Sequence, residues 1–147
     1  MHAISARPQP LQGRVALITG AGKGLGRAIA LGLAEAGADV ALLARTRSDL
    51  EAVAAQARDH GGKASIHVVD ATRSQQVDAA VAGITAAFGH IDILVHAAGG
   101  SLRKPSVEIT DEEWDTVIGA NLTSTFKVCR AVGRHMLSRG SGSIINI

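Results

Sequence analysis

Tyrosine is missing altogether from this 147-residue chain, and two Phe and one Trp are its only other aromatics. No phenol is at hand as a general acid. The core must be built from Ala, Val, Leu, Ile and Gly, a choice that suits parallel strands packed under helices. The single cysteine, Cys129, excludes an internal disulfide and fits a reducing, cytoplasmic setting. No apolar run is long enough to cross a bilayer, so no membrane partner is expected. Net charge is only +2, and the arginines are scattered with no basic stripe between aromatics, which argues against nucleic acid. The opening residues, with Pro8 and Pro10, lack the apolar stretch of a signal peptide, and residues 1–13 read as a short disordered lead. There is no internal repeat and no low-complexity tract. An apolar fraction of 46% still supplies a core for one domain, residues 14–147.

What is present is a regular alternation of strand and helix signals. Val15 to Thr19 is an apolar strand that breaks into Thr19-Gly20-Ala21-Gly22-Lys23-Gly24-Leu25-Gly26 and then opens a helix through Ala28, Ile29, Ala30 and Leu33, ending at Gly37. Val40–Ala44 is the second strand, and Ser48-x-x-Glu51 reads as a capping box for a helix ending at Gly61-Gly62. Ile66–Val69 is the third strand. Thr72-x-x-Gln75 starts a helix with Val77, Val81, Ile84 and Phe88 on one face, closed by Gly89. Ile91–Val95 is the fourth strand, followed by a long loop from Ala97 to Ile109. Thr110-x-x-Glu113 opens a further helix with Trp114, Val117, Ile118, Leu122 and Phe126 inward, continuing through an irregular turn toward Gly140. Ser143–Ile147 begins a fifth strand. Right-handed crossovers between these elements give an α/β fold, a doubly wound parallel sheet of order 3-2-1-4-5. Its ligand crevice falls at the carboxyl ends of strands 1 and 4, where the winding reverses.

The glycine-rich turn has a physical purpose. The first N–H groups of a helix lack partners within it, and the aligned peptide dipoles make that end positive. A diphosphate can dock there provided no side chain blocks it. The spacing is Thr-Gly-x-x-x-Gly-x-Gly, through Gly20, Gly24 and Gly26, rather than G-x-G-x-x-G. With Asp70 after the third strand, His96-Ala97-Ala98-Gly99 after the fourth and Asn121 in the next helix, this ordered set resembles the short-chain dehydrogenase/reductase family, over nearly all of residues 12 to 147. The resemblance implies a Rossmann-like domain and roles for matching positions. Gly20, Lys23, Gly24 and Leu25 line the phosphates and adenosine ribose, with Gly26 completing the loop. Asp70 accepts from the adenine amino group, with the Ala71 backbone beside it. Ala97 and Gly99 pass close to the nicotinamide-side ribose. Asn121 matches an asparagine that orders a water in the family's proton relay. His96 departs from the family's usual asparagine and reads as a structural hydrogen-bonder. Asp70 has a second reading, as a cap for the helix after it, and Cys129 reads as a small buried hydrophobe.

Relatives that bind NAD carry an acid after the second strand for the ribose hydroxyls. Here that place holds Ala44, followed by Arg45, with Arg47 close by and Lys23 in the glycine loop. Two cations and no carboxylate at the second strand's end favour NADP(H) over NAD(H). The resemblance further implies a small-molecule carbonyl or alcohol substrate, either a 3-oxoacyl thioester or a sugar acid or polyol, and a parent protein that is a homodimer or homotetramer. In the family a Ser, and a Tyr-x-x-x-Lys pair, act beyond the fifth strand. With no Tyr here, the expectation is an incomplete domain, truncated after its fifth strand, marginally folded by itself, inactive alone and weak for NADPH. The alternative is a non-catalytic NADP(H)-binding or regulatory module. A kinship to enoyl reductases is disfavoured by the glycine loop.

Overall fold

The computed structural model describes residues 9–147. Five parallel strands form one sheet of order β3-β2-β1-β4-β5: β1 Val15–Thr19, β2 Asp39–Ala44, β3 Ala64–Val68, β4 Ile93–His96 and β5 Ser143–Asn146. The expected strands and their order are all found. Helices α1 (Gly24–Glu35), α2 (Arg47–Arg58), α3 (Ser74–Phe88), α4 (Asp111–Ile118) and α5 (Ser124–Arg139) make the crossovers.

The period-two alternation of strand residues sorts the core into two layers. Ala16, Ile18, Val40, Leu42 and Val95 face α1 and α2, where Ala30, Ala34, Ala54 and Ala57 let the helices approach closely. Leu17, Ala41, Leu43 and Leu94 face α3 and α5, against Val77, Val81, Ile84, Val128 and Val132. Every residue of β1 is buried, which makes it the centre of the sheet and a rigid base for the loop that follows it.

At the amino end of the sheet, Asp92 ties β1 to β4. Its carboxylate accepts from the Val15 N–H at 2.9 Å and meets Arg14 and Arg139 at 3.4 Å and His90 at 3.0 Å. Burial pushes this carboxyl up, but the Val15 N–H, His90 and Arg139 outweigh that and hold it below the ordinary carboxylate range.

Several expectations need correction. Residues 1–8 of the expected lead lie outside the described residues, while residues 10–13 form a turn in which the Leu11 N–H bonds the Ala36 carbonyl at 3.0 Å and Leu11 packs on the core. Ser48-x-x-Glu51 is not a capping box: α2 starts at Arg47 behind Thr46, with no side-chain cap. Thr72 does not cap α3 either. Its amide and hydroxyl both donate to Asp70 Oδ1, at 2.9 and 2.7 Å, and the helix begins two residues later. The Thr110–Glu113 box does form, with both reciprocal bonds present. The helix it opens continues through a π turn at Gly119–Thr123 into α5, closed by left-handed Gly140. Trp114, Leu122 and Phe126 do not point inward; they are 58%, 65% and 60% exposed. Their helical period marks an apolar face, but period alone does not say which surface receives it. Val117 and Ile118 are half-buried, and β5 is an edge strand with Ile144 and Ile145 partly open.

Candidate active site

Loops over the carboxyl ends of β1, β2, β3 and β4 enclose a cleft of about 630 Å³. Gly20, Lys23, Gly24, Arg45, Asp70, Ala71, Ala97 and Gly99, all singled out from the sequence, line it. Leu25, Gly26 and Asn121 are not among the lining residues.

The floor is shaped by the absence of side chains. Gly20 sits at φ +66°, and a Cβ there would stand 2.6 Å from the Ala97 carbonyl oxygen. The loops after β1 and β4 therefore touch only because position 20 is glycine. Gly26 is in the first turn of α1, where a Cβ would collide with the Gly20 carbonyl. It lets α1 press against the turn, so its contribution is packing rather than lining. The start of α1 carries no side-chain cap hydrogen bond and no acidic residue in its first turn. Its positive end is thus left uncompensated toward the cleft. Leu25, in that first turn, is 55% exposed.

Where the glycine loop meets α2 the charges do not stand as the sequence suggested. Lys23 Nζ lies 3.2 Å from Asp49 Oδ2. Asp49 reaches it because the first turn of α2 leans on the glycine loop: a Cβ on Gly22 would be 2.9 Å from the Asp49 Cβ. A carboxylate therefore does face this corner, sent from a helix rather than from the end of β2. Arg45 is exposed on the rim. Across the cleft, the Thr72 hydroxyl and amide hold the Asp70 carboxyl below its usual range despite some desolvation, with help from Arg73 and Arg45. Asp70 is thus an ionised acceptor with one oxygen, Oδ1, committed to Thr72.

The β4 loop is held by two polar devices. Asn121, in the π turn, donates through Nδ2 to the Gly100 and Val117 carbonyls at 2.8 Å and accepts from the Gly100 N–H at 3.2 Å. A Cβ on Gly99 would meet Asn121 Oδ1 at 2.5 Å, so the clamp requires glycine there. The second device is His96, only 1% exposed. The Ala98 N–H donates to Thr19 Oγ1 at 3.2 Å, which leaves the Thr19 hydroxyl proton for His96 Nδ1 at 2.8 Å. On the other side, Ser124 donates to the Ala120 carbonyl at 2.6 Å, so its oxygen accepts from His96 Nε2 at 3.2 Å. The chain of donors admits one neutral tautomer, protonated on Nε2. Burial pushes the His96 pKa down, in keeping with that neutral form. His96 is thus the structural hydrogen-bonder expected, joining β1, β4 and α5. Cys129, half-buried beside the core and 3.4 Å from Asn146 Oδ1, has its thiol pKa pushed up by burial.

Sequence reasoning missed Thr19, Asp49 and Ser124. Thr19 is the first residue of the glycine-rich segment and carried a signal of position only. Asp49 and Ser124 had no local signal, since each acts on a residue more than twenty positions away.

A parallel sheet wound in this order, with a small-residue cradle at its reversal point, defines a dinucleotide-binding α/β domain. The chain belongs to the short chain dehydrogenase family, whose profile matches residues 14–147. It is similar to D-threitol dehydrogenase of Mycolicibacterium smegmatis, 40% identical over 137 residues that cover 93% of this chain and 53% of the relative. A solved structure of NAD+-bound xylitol dehydrogenase superposes with a TM-score of 0.90 at 36% identity, covering 92% of this chain and 53% of that one. L-sorbose reductase of Gluconobacter frateurii, solved with NADPH and L-sorbose, gives 0.87 at 33% identity, over 94% and 53%. The chain spans about half the length of the curated relatives it matches. The family binds NAD(P), and these two structures hold different members of that pair. No helix among the described residues is long and apolar enough to cross a membrane.

Proposed function

We propose that this chain supplies the dinucleotide-binding half of an NADP(H)-dependent oxidoreductase that interconverts an alcohol and a carbonyl on a polyol or sugar-acid substrate. The observation that carries the reading is the cradle at Gly20, Gly24 and Gly26, open where a diphosphate needs backbone N–H donors. Bound there, a nicotinamide dinucleotide supplies hydride transfer. The chain's own residues bind and orient it. The α1 amides, including that of Leu25, hold the diphosphate. Asp70 accepts from the adenine amino group beside Ala71. Ala97 and Gly99 leave room for the second ribose. Asn121 fixes that loop and stands where the family's relay asparagine stands. Arg45 and Lys23 meet the 2′-phosphate, since Ala44 offers no carboxylate to a free ribose hydroxyl. The substrate class follows the relatives named for threitol, xylitol and sorbose. A cytoplasmic homodimer or homotetramer is proposed for the whole protein on family likeness.

Calorimetric titration with NADPH and NADH tests the cofactor assignment. Lys23→Ala and Arg45→Ala are each expected to weaken NADPH binding about tenfold, the worth of one charge-assisted contact. NADH binding should change less than about twofold. Equal losses for the two cofactors would sink the NADP(H) assignment. In the whole protein, polyol oxidation without turnover of a 3-oxoacyl thioester is the expected substrate split, and the reverse split contradicts the substrate class.

A further inference from the structure

The corner proposed to receive the adenosine 2′ position holds a carboxylate beside its cations. Lys23, 80% exposed along its side chain, pairs at 3.2 Å with Asp49, which is only 26% exposed. The anion is the anchored member: it sits in the first turn of α2, against the backbone of Gly22. The cation is the solvent-exposed one. Arg47, the first residue of α2 and two positions before Asp49, is spent on Glu51 at 3.8 Å. Arg45 has Asp70 for an electrostatic neighbour across the cleft. Lys23 and Arg47 are each paired with a carboxylate, Arg45 shares Asp70 with Arg73, which lies 3.7 Å from that carboxylate, and Asp49 and Asp70 line the cleft.

We infer that Asp49 is a specificity-determining residue that restrains the site's preference for the 2′-phosphorylated dinucleotide, by engaging Lys23 and by repelling the phosphate. This rests on the dinucleotide-binding reading above and goes beyond it, because it assigns the discrimination to a residue on α2. The sign follows from charge. A 2′-phosphate must draw Lys23 away from Asp49 and then lie close to an anchored anion in a corner partly screened from water. An unphosphorylated ribose meets neither cost, and its hydroxyl can donate to Asp49. The carboxylate thus serves the NADH form from α2, where Ala44 fails to serve it from β2. The site accepts both cofactors, with Asp49 setting the ratio.

The test is calorimetric titration of the chain and its Asp49→Asn variant with NADPH and with NADH at low salt. Asparagine keeps the shape and removes the charge. The expected result is a rise of about five- to tenfold in the NADPH-to-NADH affinity ratio, through tighter NADPH binding and unchanged or weaker NADH binding. The gain should shrink in high salt. In the Asp49→Asn background, Lys23→Met should cost NADPH more than it does in the parent chain, because the freed lysine is then fully available. Amide NMR spectra of each variant confirm that the fold is kept. An affinity ratio that stays within about twofold, or falls, overturns the inference alone. A parent chain that prefers NADH, with the ratio still rising in Asp49→Asn, sinks the NADP(H) assignment and leaves this inference standing. A folded chain that binds neither dinucleotide overturns both.

Discussion

Replacing Gly20 by alanine abolishes measurable dinucleotide binding. An L-residue held at φ +66° costs about 1–2 kcal/mol. The new methyl would also stand 2.6 Å from the Ala97 carbonyl oxygen, a backbone atom that cannot swing aside. The loops after β1 and β4 must separate to relieve it, at a further cost of about 1–3 kcal/mol. Separation widens the floor of the cleft at the point proposed for the diphosphate. The strain itself falls on the free and bound chain alike; the altered cradle is what binding feels, with Kd expected to rise more than about a hundredfold. Gly133→Ala is the matching control. That glycine lies in α5, where a methyl group would find nothing within 4 Å, so alanine there should leave binding intact and raise helix stability slightly. Titration of the two variants side by side checks the expectation, and retained binding in Gly20→Ala would contradict it.

The second large effect belongs to His96. In His96→Leu the Thr19 hydroxyl proton loses its acceptor, and the Ser124 oxygen loses a donor. Orphaning these groups in the buried centre of the sheet is expected to cost about 2–3 kcal/mol, which lowers the thermal midpoint by roughly 5–10 °C. His96→Asn retains one donor and one acceptor and should recover more than half of that loss. The pH dependence carries a separate signature. Burial depresses the folded-state pKa of His96 below its ordinary 6.5. The unfolded chain therefore takes up the proton first, and stability falls as pH drops from about 6.5 toward the folded pKa, levelling off below it. Above about pH 6.5 the contribution is complete. His67 adds to the same trend, since burial lowers its pKa too. The part due to His96 is the difference between the parent chain and His96→Asn in melting curves taken from about pH 7.5 to 5. Parallel curves for the two proteins would contradict a His96 held neutral by burial.

How much of this was legible in the residues depended on how local each signal was. The strands showed themselves because burial on both faces selects continuous apolar runs such as Val15–Thr19, and the winding followed from the helices between them. The cleft was legible because Gly20 and Gly99 follow the ends of β1 and β4, where close approach of a neighbouring loop or side chain leaves a compositional mark. Thr110 and Glu113 could be paired by eye, since a capping box spans four residues. Ser48 and Thr72 misled for a physical reason: a hydroxyl before a helix has rival partners. Asp70 took both donors of Thr72, and Ser48 fell inside the first turn of α2. The apolar stripe of Trp114, Leu122 and Phe126 reads as inward from its spacing and lies exposed, because periodicity does not encode which surface a stripe meets. The Lys23–Asp49 pair was invisible because it joins the glycine loop to the first turn of α2 through space, and it brings to that corner of the cleft a carboxylate that the end of β2 lacks.

Where the diphosphate docks is the central claim, and a crystal structure of the chain grown with NADPH answers it directly. It should place both phosphates within hydrogen-bond distance of the backbone amides at Gly24–Gly26, with Gly20 beneath them and no side chain between. Phosphates bound away from the start of α1, or a glycine turn filled by protein side chains in the complex, would contradict the account.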